Sequence, residues 1–577
     1  MSCLTTRRYF ALLLLLVGCS GAEVDFARSL AVPQPADIVL RSGRIVTMDR
    51  DSSTKQAVAI KDGRFLAVGS DREMRLLTGP RTRVVDLGGR TVIPGLIDSH
   101  IHATLAGLSW DAELHWEQTR SLADGMKLIA NAARNRPAGS WIVVAGGWVP
   151  TQFTERRLPT RKELDAIAPN HPVYLQYLRQ AALLNSAALR AMAITGKSAE
   201  PAGGKFERDP GGELTGWLQG RPAWENVYSK IPRLTLERMR QSLSNCFREL
   251  NRLGITSVGD VQGGEVNFAH RRLLADMARA GELTVRLSYF IAPNPAGDEL
   301  EQLKLAAEEI RQLPQSDHFR FAGFADVVIQ EISDGEMLPD GKGISTAAPV
   351  KEKFHRLLQF FAEGGYSFQL AAKLDNIARQ WLEVIEQVHA VTPFSRQRVS
   401  FAHLDDVTVE TIERIKKLGG GFVVQDRIAL AGERDGQLWG EAKAGNAPPL
   451  RTMIEAGIPV GVGTDAFRSG NYSPMLALWW LVTGKTVAGT AIRDKRQNVT
   501  RAEALRMYTT GSAWLIGDER RRGSIEVDKL ADLVVLNADY FSVPEDKIPF
   551  LESMLTMLGG RVVHFTYPFA PIEIYKR

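Results

Sequence analysis

Apolar and polar positions alternate with two different periods along the chain, and the change of period divides it into parts. From Ala36 the runs DIVLRSGRIVTMD, QAVAIKDGRFLAVG and TRVVDLGGRTVIPG read as short strands, with Gly43, Gly63 and Gly88 at hairpin-like turns. The same style returns at the far end in GSIEVDKLADLVVLNAD and GGRVVHFTY. Residues 37–93 and 516–577 are therefore predicted to form one small β-sandwich assembled from both ends of the chain. Between them, apolar strand candidates alternate with amphipathic helical stretches, as in a parallel α/β barrel. The candidates are VIPGLIDSHIH, GITSVGDV, LTVRLSYFI, FADVVIQEIS, YSFQLAAK, RVSFAHL, GFVVQ and IPVGVGTDA, which together predict a (β/α)8 barrel over 94–515. In VKEKFHRLLQFFAEGG, Phe354, Leu357, Leu358 and Phe361 recur at helical spacing. Because the second strand begins only at Gly254, residues from about 104 to 250 are too many for a βα loop and are read as an insertion over the barrel mouth.

Composition narrows the function classes. The chain has 577 residues, 44% hydrophobic and 24% charged, with a formal charge of +5. Two of those charges, Arg7 and Arg8, lie in a leader, and the small excess left points to no nucleic-acid partner. The leader MSCLTTRRYFALLLLLVGCS has a positive start, an apolar stretch and small residues before Cys19, the layout of an export signal over 1–18. It is too short for a permanent membrane span. Leu16-Val17-Gly18-Cys19 resembles a bacterial lipobox, which implies lipidation of Cys19 and a membrane-anchored, exported protein. Thr6-Arg7-Arg8-Tyr9-Phe10 resembles a twin-arginine signal, or is simply a positive leader. Residues 19–36 read as a tether. With Cys3 in the leader and Cys19 acylated, Cys246 stands alone, so a disulfide framework is excluded.

The chemistry gathers at strand ends. His100 and His102 share one face of a strand by alternation, and at the carboxyl end of a barrel strand both imidazoles enter the mouth. Imidazole suits a divalent ion such as zinc, but two ligands do not complete a catalytic site. Asp465, closing VGVGTDA, occupies a strand's carboxyl end where a catalytic carboxylate belongs.

The ordered motifs PGLIDSHIHA, GTDA and RRGSIEVDKLADLVVLNAD resemble the amidohydrolase superfamily, in the amidohydrolase 3 branch that includes N-substituted formamide deformylase. LPTRKELDAIAPNHPVYL, LLNSAALRAM and GGELTGWL in the insertion look like the same branch. The resemblance implies a distorted TIM barrel and hydrolysis of a C–N bond in an amide, cyclic imide or carbamate by metal-activated water. It implies that Asp465 ligates the metal or its water and carries the proton to the leaving nitrogen. The chain departs from the family at several positions. Gln330 stands where the branch has a lysine, in the register of Asp334 and Gly335, and Ala371 replaces a histidine with Asp375 still in register. Phe401 takes another histidine's place, with His403 two residues beyond. In the insertion Gln180 replaces a substrate-contacting histidine, and Gln219-Gly220 a glutamate. Gln330, Lys373, Phe401 and Gln180 are accordingly expected to line a substrate pocket.

His403 shares the face of Phe401 but lies about 6.6 Å further along an ideal strand. It lines the pocket, pairs with Asp405 or Asp406, or, where the strand bulges or bends early, reaches the metal. Glu331 has the opposite parity to Gln330 and is read as a partner buried between strand and helix. Trp110, Trp116, Trp148 and Trp217 form either an aromatic lid or ordinary core. Two readings stay open. One is a hydrolase of a small-molecule substrate with a single divalent ion, zinc by preference, on His100, His102 and Asp465, with His403 as the candidate fourth ligand. The other is a lipid-anchored protein that has lost metal catalysis, holds no ion, and acts as a binding protein or in metal-independent chemistry.

Overall fold

The computed structural model describes residues 34–294, 297–332 and 347–569. Cys3, Cys19, the leader, Asp334 and Gly335 lie outside the described residues. No described helix is long and apolar enough to cross a membrane.

Eight parallel strands form one sheet in chain order. They are the first (Leu96–Ile101), second (Ile255–Gln262), third (Arg286–Ile291), fourth (Phe319–Asp326), fifth (Phe368–Ala371), sixth (Val399–Ala402), seventh (Gly421–Gln425) and eighth (Val460–Gly463) barrel strands. Alternation sends Phe368, Leu370, Val399, Phe401, Phe422 and Val424 outward into the core shared with the helices. The opposite faces turn inward, where Ile97, Val261, Phe290 and Ala325 pack on Ile516, and Ala402 and Val423 on Leu515. In such a barrel the site lies at the mouth, at the carboxyl ends of the strands.

The barrel closes where the eighth strand returns to the first. There the Asp465 N–H donates to the His100 carbonyl at 2.9 Å, and Ser99 Oγ to the Val462 carbonyl at 2.8 Å. Gly463 makes this approach possible, because a Cβ there would lie 2.5 Å from His100 Cβ. Two sheets from both chain ends face each other beside the barrel, sharing a core of Ile38, Leu40, Val58, Ile60, Leu533, Val535, Leu555 and Met557. Thr91–Pro94 pairs antiparallel with Leu533–Leu536, so the chain runs from sandwich to first barrel strand through Gly95 alone.

Between the first two barrel strands lies a six-stranded mixed sheet, Lys205–Arg208, Leu214–Gln219, Ala181–Leu184, Val173–Tyr177, Ile142–Ala145 and Glu113–Leu114 in spatial order. Trp116, Trp148, Phe153, Leu175 and Trp217 form a core within it, so three of the four tryptophans are packing residues. Trp110 alone turns toward the mouth, stacked on His115 and edge-on to Phe467, two residues past Asp465. The helix Leu236–Arg252 returns to the barrel. Thr235 caps it by accepting from the Arg238 N–H, and Met239, Leu243, Cys246, Phe247 and Leu250 form its buried stripe.

Candidate metal centre

The mouth gathers five ligand-type side chains in two groups that share His100. His100 is the last but one residue of the first strand and His102 follows that strand, Asp326 ends the fourth, His403 follows the sixth, and Asp465 follows the eighth. In two overlapping groups, His100 with His102 and Asp326, and His100 with His403 and Asp465, the ligand atoms all lie within 4.8 Å of one another. His102 Nε2 is 3.1 Å from Asp465 Oδ1, His100 Nε2 3.6 Å from the same oxygen, and His403 Nε2 3.5 Å from Asp326 Oδ1. Asp326, His403 and Asp465 all have left-handed backbones, with φ of 65°, 65° and 52°. Each turns sharply at the carboxyl end of an even-numbered strand, and Asp and His are among the residues that tolerate this conformation.

Second contacts fix which nitrogen His100 and His102 present. His100 Nδ1 donates to Gln369 Oε1 of the fifth strand, and His102 Nδ1 donates to the Val261 carbonyl at 2.8 Å. In both rings the proton on Nδ1 leaves a lone pair on Nε2, aimed at the carboxylates. His100 Nε2, His403 Nδ1, Asp326 Oδ1 and Asp465 Oδ2 are buried without a hydrogen-bond partner. Acceptors thus converge on acceptors, which costs free energy unless a positive charge stands among them. Protons can also supply such a charge. Burial opposes a charged His100, but Asp465, Asp326 and Gln369 outweigh it and raise its pKa to about 9. Burial also opposes ionised acids, yet His403 and His100 hold Asp326 down at about 2, and His100 and His102 hold Asp465 well below the usual carboxylate range. Three imidazoles and two carboxylates that need a cation fit a divalent metal.

Behind the ligands, Thr464 Oγ1 donates to Asp98 Oδ2 at 2.6 Å, and the His100 N–H to Asp98 Oδ1 at 3.2 Å. Asp98 therefore latches the eighth strand to the first beneath the centre. Burial, opposed by these bonds, leaves its pKa raised to about 6. Gln425 Nε2 lies 3.4 Å from His403 Nε2, and Arg427 Nη1 3.9 Å from Asp465 Oδ2.

Several sequence expectations need correction. Phe401 does not line the pocket: it is fully buried and faces the helix layer. The sixth strand ends at Ala402, and the left-handed turn at His403 breaks the parity that would have sent this histidine outward too. His403 accordingly faces Asp326 rather than the side chains of Asp405 or Asp406. Gln330 lies four residues past the fourth strand, in a short 3-10 turn where its N–H donates to Glu299 Oε1 at 3.3 Å, and Asp326 holds the strand end. Glu331 is exposed and pairs with Lys353 at 3.1 Å, so it is no buried partner. Lys373 is buried against Asp435 Oδ2 at 3.2 Å and over the Trp439 ring. Gln180 lines a cleft with Arg427 and Ser469, next to Asp465. The residue that sequence reasoning missed is Asp326. Its signal was available: FAGFAD is an apolar run closed by an acid, like VGVGTDA.

A barrel mouth where histidines and carboxylates converge is a site whose donors suit a divalent metal. Comparison with known proteins places the chain more narrowly: residues 83–564 match the model of the amidohydrolase family, and the chain belongs to that family. It is 26% identical over 546 residues to the N-substituted formamide deformylase of Arthrobacter pascens, covering 91% of this chain and 98% of the relative. To the putative amidohydrolase YtcJ of Bacillus subtilis it is 25% identical, covering 91% and 99%. Among solved structures, a metal-dependent hydrolase from Pyrococcus horikoshii superposes with a TM-score of 0.63 at 21% identity, over 88% of this chain and 99% of that one. The atrazine chlorohydrolase of Arthrobacter aurescens, complexed with zinc, superposes at 0.52 and 15% identity, over 91% and 94%. These two likenesses concern the fold.

Proposed function

We propose that the chain hydrolyses a C–N bond of amide, cyclic-imide or carbamate type, using one divalent ion, zinc by the chemistry of its donors. His100, His102, His403, Asp326 and Asp465 would hold it. The observation that carries this reading is the convergence of unpartnered Nε2, Nδ1 and carboxylate atoms in one buried place. That convergence favours a working centre over a chain that has lost metal catalysis. A bound ion supplies a Lewis acid there and makes water acidic enough to attack at neutral pH.

The chain's own groups do the rest. Asp465 is ionised and one of its oxygens is unpartnered, so it accepts a proton from the attacking water and returns it to the leaving nitrogen. Water's oxygen bonds to the acyl carbon, the C–N bond breaks, and the amine departs with that proton. Gln369 and the Val261 carbonyl hold His100 and His102 in the tautomer that presents Nε2. Ser469 Oγ donates to the Asp465 carbonyl and fixes the turn that carries the acid. Export and a lipid anchor at Cys19 belong to this reading, which places hydrolysis of a small molecule at a membrane surface.

The test is metal content, by mass spectrometry, of protein purified without chelator, paired with amine release from a panel of N-substituted formamides and amides. Wild type should carry about one ion per chain, and His100→Ala should carry none and release no amine. Equal, negligible metal in both would overturn the reading.

A further inference from the structure

The loop after the eighth strand carries Asp465 and runs to Ser473, which caps the helix Pro474–Thr483. Its base is tied to the barrel: the Asp465 N–H donates to the His100 carbonyl at 2.9 Å, and the His102 N–H to the Ala466 carbonyl at 2.6 Å. Further along, Arg468 repeats the left-handed backbone of Asp465, with φ of 69° after 52°. Two such residues within four positions are costly for side chains other than glycine, and they persist only where surrounding contacts over-determine them. Ser469 Oγ donates to the Asp465 carbonyl, which cross-links the second turn to the first.

The contacts that hold the second turn come from the insertion. The Gly147 N–H donates to the Arg468 carbonyl at 3.0 Å. Gly146 lets the two backbones meet, because a Cβ there would lie 2.6 Å from that carbonyl oxygen. The Arg468 side chain reaches into the insertion, where Nη2 donates to Glu113 Oε1 at 3.3 Å and to the Tyr228 hydroxyl. Tyr228 donates in turn to Glu113 Oε1 at 3.0 Å, and its ring centre lies 4.4 Å from the guanidinium carbon. The Arg468 side chain is 13% exposed and that of Glu113 6%, so this charge pair is largely out of water. Asn471 Nδ2 adds a bond to the Glu117 carbonyl at 2.7 Å. The guanidinium thus meets the strand Glu113–Leu114 and the helix Arg221–Tyr228, while its backbone belongs to the loop of the acid.

We propose that Arg468 is a positioning residue, through which the insertion holds Asp465 in place at the centre. The proposal rests on the reading of Asp465 as metal ligand and proton carrier in a C–N hydrolase. Arg468 takes no part in bond making. A displacement of about 1 Å in a catalytic group is enough to slow a reaction about a hundredfold, so the anchor of the loop matters to the acid three residues away. Loss of the guanidinium reaches Asp465 through the Ser469 bond and through Ala466 and Phe467.

The test uses the full chain and two variants. Arg468→Gly keeps the left-handed turn without strain and removes the guanidinium, and Glu113→Gln combined with Arg468→Met leaves no buried carboxylate unpaired. Zinc affinity is read by competition with a chromogenic chelator, and opening of the segment 464–472 by amide hydrogen exchange with mass spectrometry. Both variants should bind zinc about tenfold more weakly than wild type and exchange faster across that segment, and Arg468→Lys should recover part of each loss. A merely structural Arg468 would lower the urea midpoint while leaving zinc affinity per folded chain and loop exchange unchanged, and that result overturns the proposal. Unchanged loop exchange beside metal-dependent amine release by wild type removes the positioning role and leaves the hydrolase reading. Faster loop exchange in both variants, with wild type binding no zinc and releasing no amine, supports the anchor and counts against the hydrolase reading.

Discussion

Two of the buried charge clusters among the described residues are built on opposite principles. Where barrel meets sandwich, Arg286 Nε and Nη2 donate to the two oxygens of Asp532 at 2.8 and 2.9 Å. The Gly559 N–H adds a third bond to Asp532 at 2.7 Å, and Arg286 Nη1 reaches the Asp317 carbonyl at 3.3 Å. Both carboxylate oxygens there are satisfied. In the mouth, carboxylates and imidazoles leave four buried ligand atoms without partners. A satisfied cluster holds two domains in one relative position, because breaking it strands a buried charge. An unsatisfied one is costly to the fold by itself and is explained by what it can bind.

The largest effect that would break this contrast concerns Asp465. Asp465→Asn should lower kcat/KM by about 10^4, equivalent to about 5 kcal/mol of barrier, while urea unfolding at neutral pH shifts little or toward greater stability. A loss of stability as large as the loss of rate would mean that the mouth is a structural cluster after all. The next largest effect lies at the other cluster. Arg286→Met leaves Asp532 buried and unpaired and should cost about 3–5 kcal/mol in equilibrium urea unfolding, with metal per folded chain unchanged. Metal lost in parallel with stability would join the two clusters into one unit. Smaller again, Asp326→Asn should weaken metal affinity by about 10–100-fold, read by competition with a chromogenic chelator. An unchanged affinity would remove Asp326 from the centre and leave His100, His102, His403 and Asp465.

The barrel, the sandwich built from both ends and the inserted sheet were all legible from hydrophobic period and strand spacing. So was the place of His100, His102 and Asp465 at strand ends in the barrel mouth, because each lies in a contiguous motif whose parity is simple. His403 was not settled, for parity arithmetic assumes that a strand continues. The sixth strand stops at Ala402, and one left-handed residue reverses the face of everything after it. The same turn hid Asp326, since the fourth strand was aligned from Asp334 and Gly335 downstream while it ends at Asp326 itself. Gln369, whose side chain sets the His100 tautomer, differs from no neighbouring polar residue until the fifth strand is placed against the first. Strand parity carries information along a chain only as far as the backbone stays extended.

The smallest effect separates the clusters by acidity. Burial opposes ionisation of Asp532, but Arg286 and the Gly559 N–H outweigh it and hold its pKa below the ordinary value of 3.8. A carboxyl whose pKa is lower folded than unfolded contributes stability that is complete above the unfolded value, near 3.9, and is lost as pH falls through the folded one. Arginine stays charged throughout, so the pair has no alkaline limb. Denaturation midpoints from pH 7 down to 2.5 should therefore fall less steeply below pH 4 in a variant carrying both Arg286→Met and Asp532→Leu than in wild type, with the two curves parallel from pH 5 to 8. A difference in slope confined to pH 5–8 would show that the junction pair is not the fixed, fully ionised cluster its bonds describe. The contrast with the mouth would then rest on bonding alone, with no support from titration.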